Sequence, residues 1–183
     1  MAARPTLVVV SGPPGTGKTT LAHSLADELG CPAIIRDEIK QGMVMSTGTD
    51  QPSGDDLNIP AMHAFFDALS VLLQAGVTVV AEAAYQDRLW GPGLEPLAKI
   101  ANLRIVRCTT PTPAIVKRMT ERASSDRHRA AHGDKQLLID IAAGTYAPEQ
   151  FEDITLDAPT LLVDTSDGYQ PGTPEITAFV RSR

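Results

Sequence analysis

Five short apolar runs punctuate this chain, each followed by sequence of helical spacing. Leu7–Val10 and Ala33–Ile35 are solidly apolar, and Val77–Ala81, Leu103–Val106 and Thr160–Val163 are apolar but for Thr78, Arg104 and Thr160. Such runs read as strands buried on both faces. Between them the periodicity changes. Leu21, Leu25 and Leu29 recur every four residues and predict a helix over Thr19–Leu29, stopped by Gly30. Met62, Phe65, Phe66, Leu69, Leu72 and Leu73 predict another from about Pro60 to Gln74, closed by Gly76. Further helices are expected over Pro92–Ile100, Pro113–Ala123, Lys135–Ala143 and Pro174–Arg181, several with proline in the first turn. Ser46–Asn58, "STGTDQPSGDDLN", predicts a mobile loop. Solidly apolar strands alternating with helices give an α/β class, a parallel sheet with helices on both faces.

Composition narrows the picture without changing it. With 43% hydrophobic and 21% charged residues, the chain has the makeup of a globular protein, and residues 1–183 are expected to form a single domain. No apolar run approaches the roughly 20 residues that span a bilayer, and Met1–Thr6 lacks the makeup of a signal peptide. No membrane partner and a cytoplasmic location are expected. The formal net charge of −6 argues against a broad basic surface for nucleic acid. Cys31 and Cys108 lie far apart with no CxxC, which fits two buried thiols better than a metal site or disulfide.

Ligands of parallel α/β sheets sit at the carboxyl ends of the strands, so the chemistry is sought just after each run. After the first comes Gly12-Pro13-Pro14-Gly15-Thr16-Gly17-Lys18-Thr19, then Thr20. It matches GxxxxGK[ST] at every fixed position, with a strand before and a helix after. Glycines let successive backbone N–H groups face phosphate oxygens, and the helix N-terminus adds its dipole. Lys18 would reach the β- and γ-phosphates, and the Thr19 hydroxyl would hold Mg²⁺.

A phosphate cradle does not by itself separate hydrolysis from transfer. In "IIRDEIKQGM", Asp37 follows the second strand with Lys40 three residues on. Asp37 is either a general base for an attacking hydroxyl or a helix N-cap; Lys40 could hold the acceptor. Glu82 ends the third strand, as a magnesium-associated acid that also borders the acceptor, or as a solvated strand end. No DxxG follows it and no [NT]KxD occurs anywhere, which removes support for a guanine-nucleotide switch. Arg118 and Arg122 share a helical face and Arg127 and Arg129 follow, forming either a lid over the transferred phosphoryl group or a solvated surface. Tyr85, Trp90, Met43 and Met45 line the acceptor pocket or pack in the core. His23 and His63 read as packing or surface residues, whereas His128 and His132 stand in the arginine-rich loop.

In order, "GPPGTGKTT", "RDEIK", "EAAYQ", "KRMTERASSDRHR" and "LLVDTSDGY" resemble the small P-loop kinases of the polynucleotide-kinase-like group, relatives of chloramphenicol phosphotransferase and the zeta toxins. The resemblance implies the P-loop NTPase fold, a five-stranded sheet of order 2-3-1-4-5, ATP with Mg²⁺, and a mobile arginine lid over about residues 118–134. It makes Asp37 the base, Lys40 an acceptor-side cation where polynucleotide kinases have arginine, and Arg118, Arg122 and Arg127 lid arginines. Asp164–Tyr169, with Asp167, would pass near the adenine. The acceptor side would comprise residues of about 40–75 together with Glu82 and Tyr85. The expected activity is transfer of the γ-phosphate to a hydroxyl of a small molecule. A polynucleotide 5′-hydroxyl kinase and a nucleotide-sensing ATPase module are the alternatives.

Overall fold

A computed structural model describes residues 4–46, 56–85, 87–125, 134–148 and 151–182. The expected loop Ser46–Asn58 lies mostly outside them, as do Arg127, His128, Arg129 and His132.

In chain order the elements are β1 (Thr6–Ser11), α1 (Lys18–Leu29), β2 (Ala33–Ile35), α2 (Arg36–Ser46), α3 (Asn58–Gln74), β3 (Val79–Glu82), α4 (Asp87–Ile100), β4 (Asn102–Thr109), α5 (Thr112–Ser125), α6 (Asp134–Ala142), β5 (Thr160–Asp164) and α7 (Thr173–Arg181). The five strands form one sheet of order β2-β3-β1-β4-β5, parallel throughout. This is the P-loop NTPase fold.

Two cores cover the two faces. Leu7 and Val9 of β1 join Phe65, Leu69 and Leu73 of α3 and Leu94 and Leu97 of α4 on one side. Val8 and Val10 join Leu21 and Leu25 of α1 and Ile176 and Val180 of α7 on the other. Successive strand residues point to opposite faces, so a strand enclosed by both layers must be apolar at every position, which is why "LVVV" has no polar partner residues.

Three elements depart from the sequence expectation. Helix α4 begins at Asp87, with Pro92 and Pro96 inside it rather than at its start. Trp90, Leu94 and Leu97 lie on one face and are buried, and that burial outweighs the backbone bonds the prolines forgo. β4 runs on to Thr109 because Arg104 and Arg107, which interrupt its apolar pattern, occupy half-buried positions and donate to carbonyls of Leu103, Ser182 and Phe151. β3 starts at Val79, since Thr78 instead accepts a hydrogen bond from the Thr6 backbone N–H, 3.0 Å away. No helix among the described residues is long and apolar enough to cross a membrane.

Burial pushes the Cys108 thiol up from 9.0 to about 12, while Cys31 is half-exposed. At pH 8 an aromatic disulfide reagent is therefore expected to modify one thiol in the folded chain and two after unfolding in guanidinium. An unfolded Cys108 ionises first, so its contribution to stability is present below pH 9 and is lost as pH rises toward about 12. Stability measured across that window is expected to fall less steeply in Cys108→Ala.

Candidate active site

Register brings the chemistry together. Glu82 at the end of β3 pairs with Val10 on one side and Ile35 on the other. The glycine-rich loop leaves β1 just after Val10, and α2 begins immediately after Ile35. Glu82 thus stands between the phosphate cradle and the first turn of α2.

The loop is internally braced. Thr16 is fully buried and its hydroxyl donates to the Pro13 carbonyl at 2.8 Å. The Lys18 ammonium, also buried, donates to the same carbonyl at 3.1 Å and lies 3.8 Å from Glu82 Oε1. The Thr19 hydroxyl donates to Glu82 Oε2 at 2.9 Å. Helix α1 starts at Lys18 with no acidic residue in its first turn, leaving its N-terminal dipole open to an anion.

Glu82 is 4% exposed, which removes the solvated strand-end reading. Burial raises its carboxyl above 4.5; Lys18 and the Thr19 hydrogen bond lower it, and the charges of Asp37 and Glu38 raise it again. A buried carboxylate carrying the field of two neighbouring acids is an environment that a cation relieves. The donor set fits Mg²⁺: hard oxygens from one hydroxyl and one carboxylate, with phosphates supplying further ligands. Among the described residues no group of three or more His, Cys, Asp or Glu could hold a metal ion without such phosphates.

On the acceptor side, Asp37 lies inside the first turn of α2 and its side chain is about half-exposed. Arg36 donates to Asp37 Oδ1 at 3.0 Å and to Asn58 Oδ1 at 2.8 Å. Lys40, buried, donates to the same Asn58 oxygen at 2.9 Å. Arg36 carries no role in the sequence reading; its i, i+4 spacing to Lys40 is the signal that could have found it. Two cations thus meet on one amide oxygen beside Asp37.

Tyr85 and Trp90 do not line an open pocket. Tyr85 is fully buried, 5.0 Å from the Trp90 ring centroid and 6.1 Å from that of Phe65. The expectation that Tyr85 touches the acceptor directly is corrected to a core position, because α3 and α4 close over it. Its hydroxyl is buried and has no hydrogen-bond partner among the described residues. Met45 is largely exposed. His23 pairs with Glu38 at 2.8 Å on the surface, and His63 is exposed.

On the nucleotide side, the Thr165 hydroxyl donates to the Thr16 carbonyl and meets the Thr110 hydroxyl at 2.6 Å. Arg118 donates to the carbonyls of Thr165 and Ser166, so α5 is tied through the turn after β5 to the glycine-rich loop. Ile115 and Met119 of α5 pack onto Gly15. Arg122 is half-buried on the same helix, and Asp167 is exposed in the turn. Thr165, buried at 4% exposure, is a bracing residue that the sequence reading located only as part of a strand-end segment.

Comparison with known proteins agrees with this architecture. The model of the AAA domain matches residues 7–138. The cytidylate kinase of Halobacterium salinarum is 27% identical over 172 residues, covering 83% of this chain and 88% of that relative. The Holliday junction branch migration complex subunit RuvB of Methanoregula boonei is 30% identical over 181 residues, covering 96% of this chain. The chain spans under half of that protein's length, 47%. Among solved structures, a protein of Chloroflexus aurantiacus described as a kinase superposes with a TM-score of 0.78 at 23% identity, covering 98% of each chain; at that identity the likeness speaks for the fold. The matched segment runs from Leu7 in β1 into the first half of α6 and includes Lys18, Thr19, Asp37 and Glu82, and on that match the chain belongs to the AAA domain family.

Proposed function

We propose that this protein is an ATP-dependent kinase that transfers the γ-phosphate to a hydroxyl of a small acceptor carrying a negatively charged group. The observation that carries this reading is Glu82 set between the Lys18–Thr19 phosphate cradle and Asp37, close enough to Asp37 to feel its charge. A pure hydrolase has no need of the adjoining cation pair, Arg36 and Lys40, converging on Asn58. The likeness to a cytidylate kinase supports the same reading.

In the proposed reaction Lys18 and the loop amides hold the β- and γ-phosphates. Thr19 and Glu82 would hold Mg²⁺, which when bound neutralises phosphate charge. Asp37 takes the proton of the acceptor hydroxyl as its oxygen bonds to the γ-phosphorus and the bond to the bridging oxygen of ADP breaks. Arg36 and Lys40 take the acceptor's anionic group in place of Asn58. Arg118 and Arg122 of α5 would supply positive charge toward the transferring group; Arg127, expected with them, lies outside the described residues.

The test is transfer of label from γ-labelled ATP to pooled acceptors, namely nucleoside monophosphates, sugar acids, neutral sugars and oligonucleotides, with Lys18→Ala as the blank. A stoichiometric phosphorylated small molecule is expected. Release of inorganic phosphate at one rate with or without every acceptor would sink the proposal, and label on oligonucleotides alone would move it to a polynucleotide kinase.

Arg118→Ala is expected to weaken ATP binding about tenfold, because it frees the Thr165–Ser166 turn that braces the loop, and to slow turnover by a further 10- to 100-fold. Equilibrium titration with ATP and single-turnover transfer separate the two effects. Unchanged values in both would remove Arg118 from the site.

A further inference from the structure

A second polar cleft opens at the opposite end of the sheet, along the amino-terminal edge of the strands. The residues lining it include Thr6 at the start of β1 and Asn102 at the start of β4. The six residues of β1 separate it from the phosphate loop, a span of about 20 Å. Its volume is about 690 Å³, within the range of small-ligand sites.

Arg4, Arg104 and Arg181 are among the residues that line this cleft. All of their hydrogen bonds within the described residues go to main-chain carbonyls. Arg4 donates to Ala98 at 2.8 Å, Arg104 to Leu103 at 3.0 Å and Ser182 at 2.7 Å, and Arg181 to Glu28 at 3.3 Å. Among the described residues none of the three has a carboxylate within ion-pair distance, whereas Arg36 and Arg107 are each paired with an aspartate. Arg104 Nε is buried and has no hydrogen-bond partner among the described residues.

In a chain of net charge −6, three arginines line one cleft with no ion-pair partner among the described residues. Guanidinium forks suit the oxygens of phosphate and sulfate. Leu29, Val77 and Val180 add an apolar wall beside them, which a bare inorganic ion would leave uncovered. We propose that this cleft binds a small organic phosphate or sulfate monoester, its oxyanion held by Arg4, Arg104 and Arg181 and its body against Leu29, Val77 and Val180. The site is separate from the phosphotransfer centre and does not depend on the reading of that centre.

The probe is 1-naphthyl phosphate, with 1-naphthyl sulfate and neutral 1-naphthol beside it, titrated by fluorescence into the full chain with Mg²⁺ and a non-hydrolysable ATP analogue filling the phosphate loop. One saturable site for the esters is expected, weakened at least tenfold in Arg104→Gln/Arg181→Gln and weakened by added salt. Preference between the two esters identifies the oxyanion. Cys31 lines the same cleft, so the phosphate ester should slow its reaction with a neutral disulfide reagent at least fivefold. If the double variant does not melt cooperatively, Arg4→Gln replaces it; that change removes one bond at the chain margin and should weaken binding several-fold. Equal binding of naphthol, equal affinity in the folded variant tested, or unprotected Cys31 would each overturn the proposal.

Discussion

Asp37→Asn is expected to lower the transfer rate by about 10²- to 10⁴-fold, the usual contribution of a positioned general base, while ATP affinity stays within about twofold. The substitution isolates proton transfer. Asparagine keeps the shape of the side chain and an oxygen that can still accept from Arg36 Nη1, now 3.0 Å from Oδ1. The side chain is about half-exposed, so no buried group is stranded. The charge of Asp37 also raises the Glu82 carboxyl, so its removal favours ionised Glu82 but takes a negative charge away from the cation site; rates compared at saturating Mg²⁺ keep that effect out of the result. Glu38→Gln is the matched control, since Glu38 exerts the same influence on Glu82 but pairs with His23 on the surface. It should turn over at close to the native rate. Single-turnover transfer to the acceptor returned by the labelled-ATP screen measures both, and full transfer by the asparagine variant would dismiss Asp37 as base.

Much of the architecture is legible in the chain because burial on both faces leaves a plain mark. Four consecutive apolar residues at Leu7–Val10, a glycine-rich turn and a leucine repeat suffice to place β1, the phosphate loop and α1. The rule that ligands gather at strand ends then points to Glu82 and Asp37. What it cannot supply is depth. Tyr85 and Glu82 are three residues apart and both near the site, yet one is sealed beneath α3 and α4 and the other reaches Lys18 and Thr19. That difference depends on how two helices cross the sheet, which no local pattern records. The same holds for Asn58: an asparagine at the end of a polar loop becomes the meeting point of Arg36 and Lys40 only once α3 docks against α2. Thr165 likewise takes its role from Thr16, 149 residues away.

These long-range braces leave the two sides of the site differently built, one buried and tied down and the other exposed. Lys18, Thr16 and Thr165 are buried and tied to main-chain carbonyls, so the phosphate cradle exists before nucleotide arrives and little ordering is required on binding. Asp37 is solvent-accessible at the start of a helix. On the proposed reading a hydroxyl approaches it from outside while the phosphates are held from within, an arrangement that suits transfer to a second substrate.

Gly12→Ala and Gly17→Ala are expected to fail in opposite ways, and the contrast tests how the cradle is built. Gly12 has φ +139°, and a Cβ there would lie 2.4 Å from the Cys108 carbonyl oxygen. That oxygen belongs to β4, which is hydrogen-bonded to β1 and cannot retreat. Strained backbone and overpacking each cost about 1–3 kcal/mol, so Gly12→Ala should lose about 2–6 kcal/mol, a large part of an ordinary domain's stability. Gly17 has φ +79°, but a Cβ there meets nothing within 4 Å. Only the left-handed backbone is penalised, by about 1–2 kcal/mol. On the proposed reading phosphate oxygens approach the N-terminus of α1 beside Gly17, so Gly17→Ala should fold and yet bind ATP at least 100-fold more weakly. Urea midpoints and equilibrium ATP titration separate the two losses. A Gly12→Ala chain as stable as the native one would mean that the loop does not leave β1 against Cys108, and a Gly17→Ala chain that binds ATP normally would mean that the phosphates lie elsewhere.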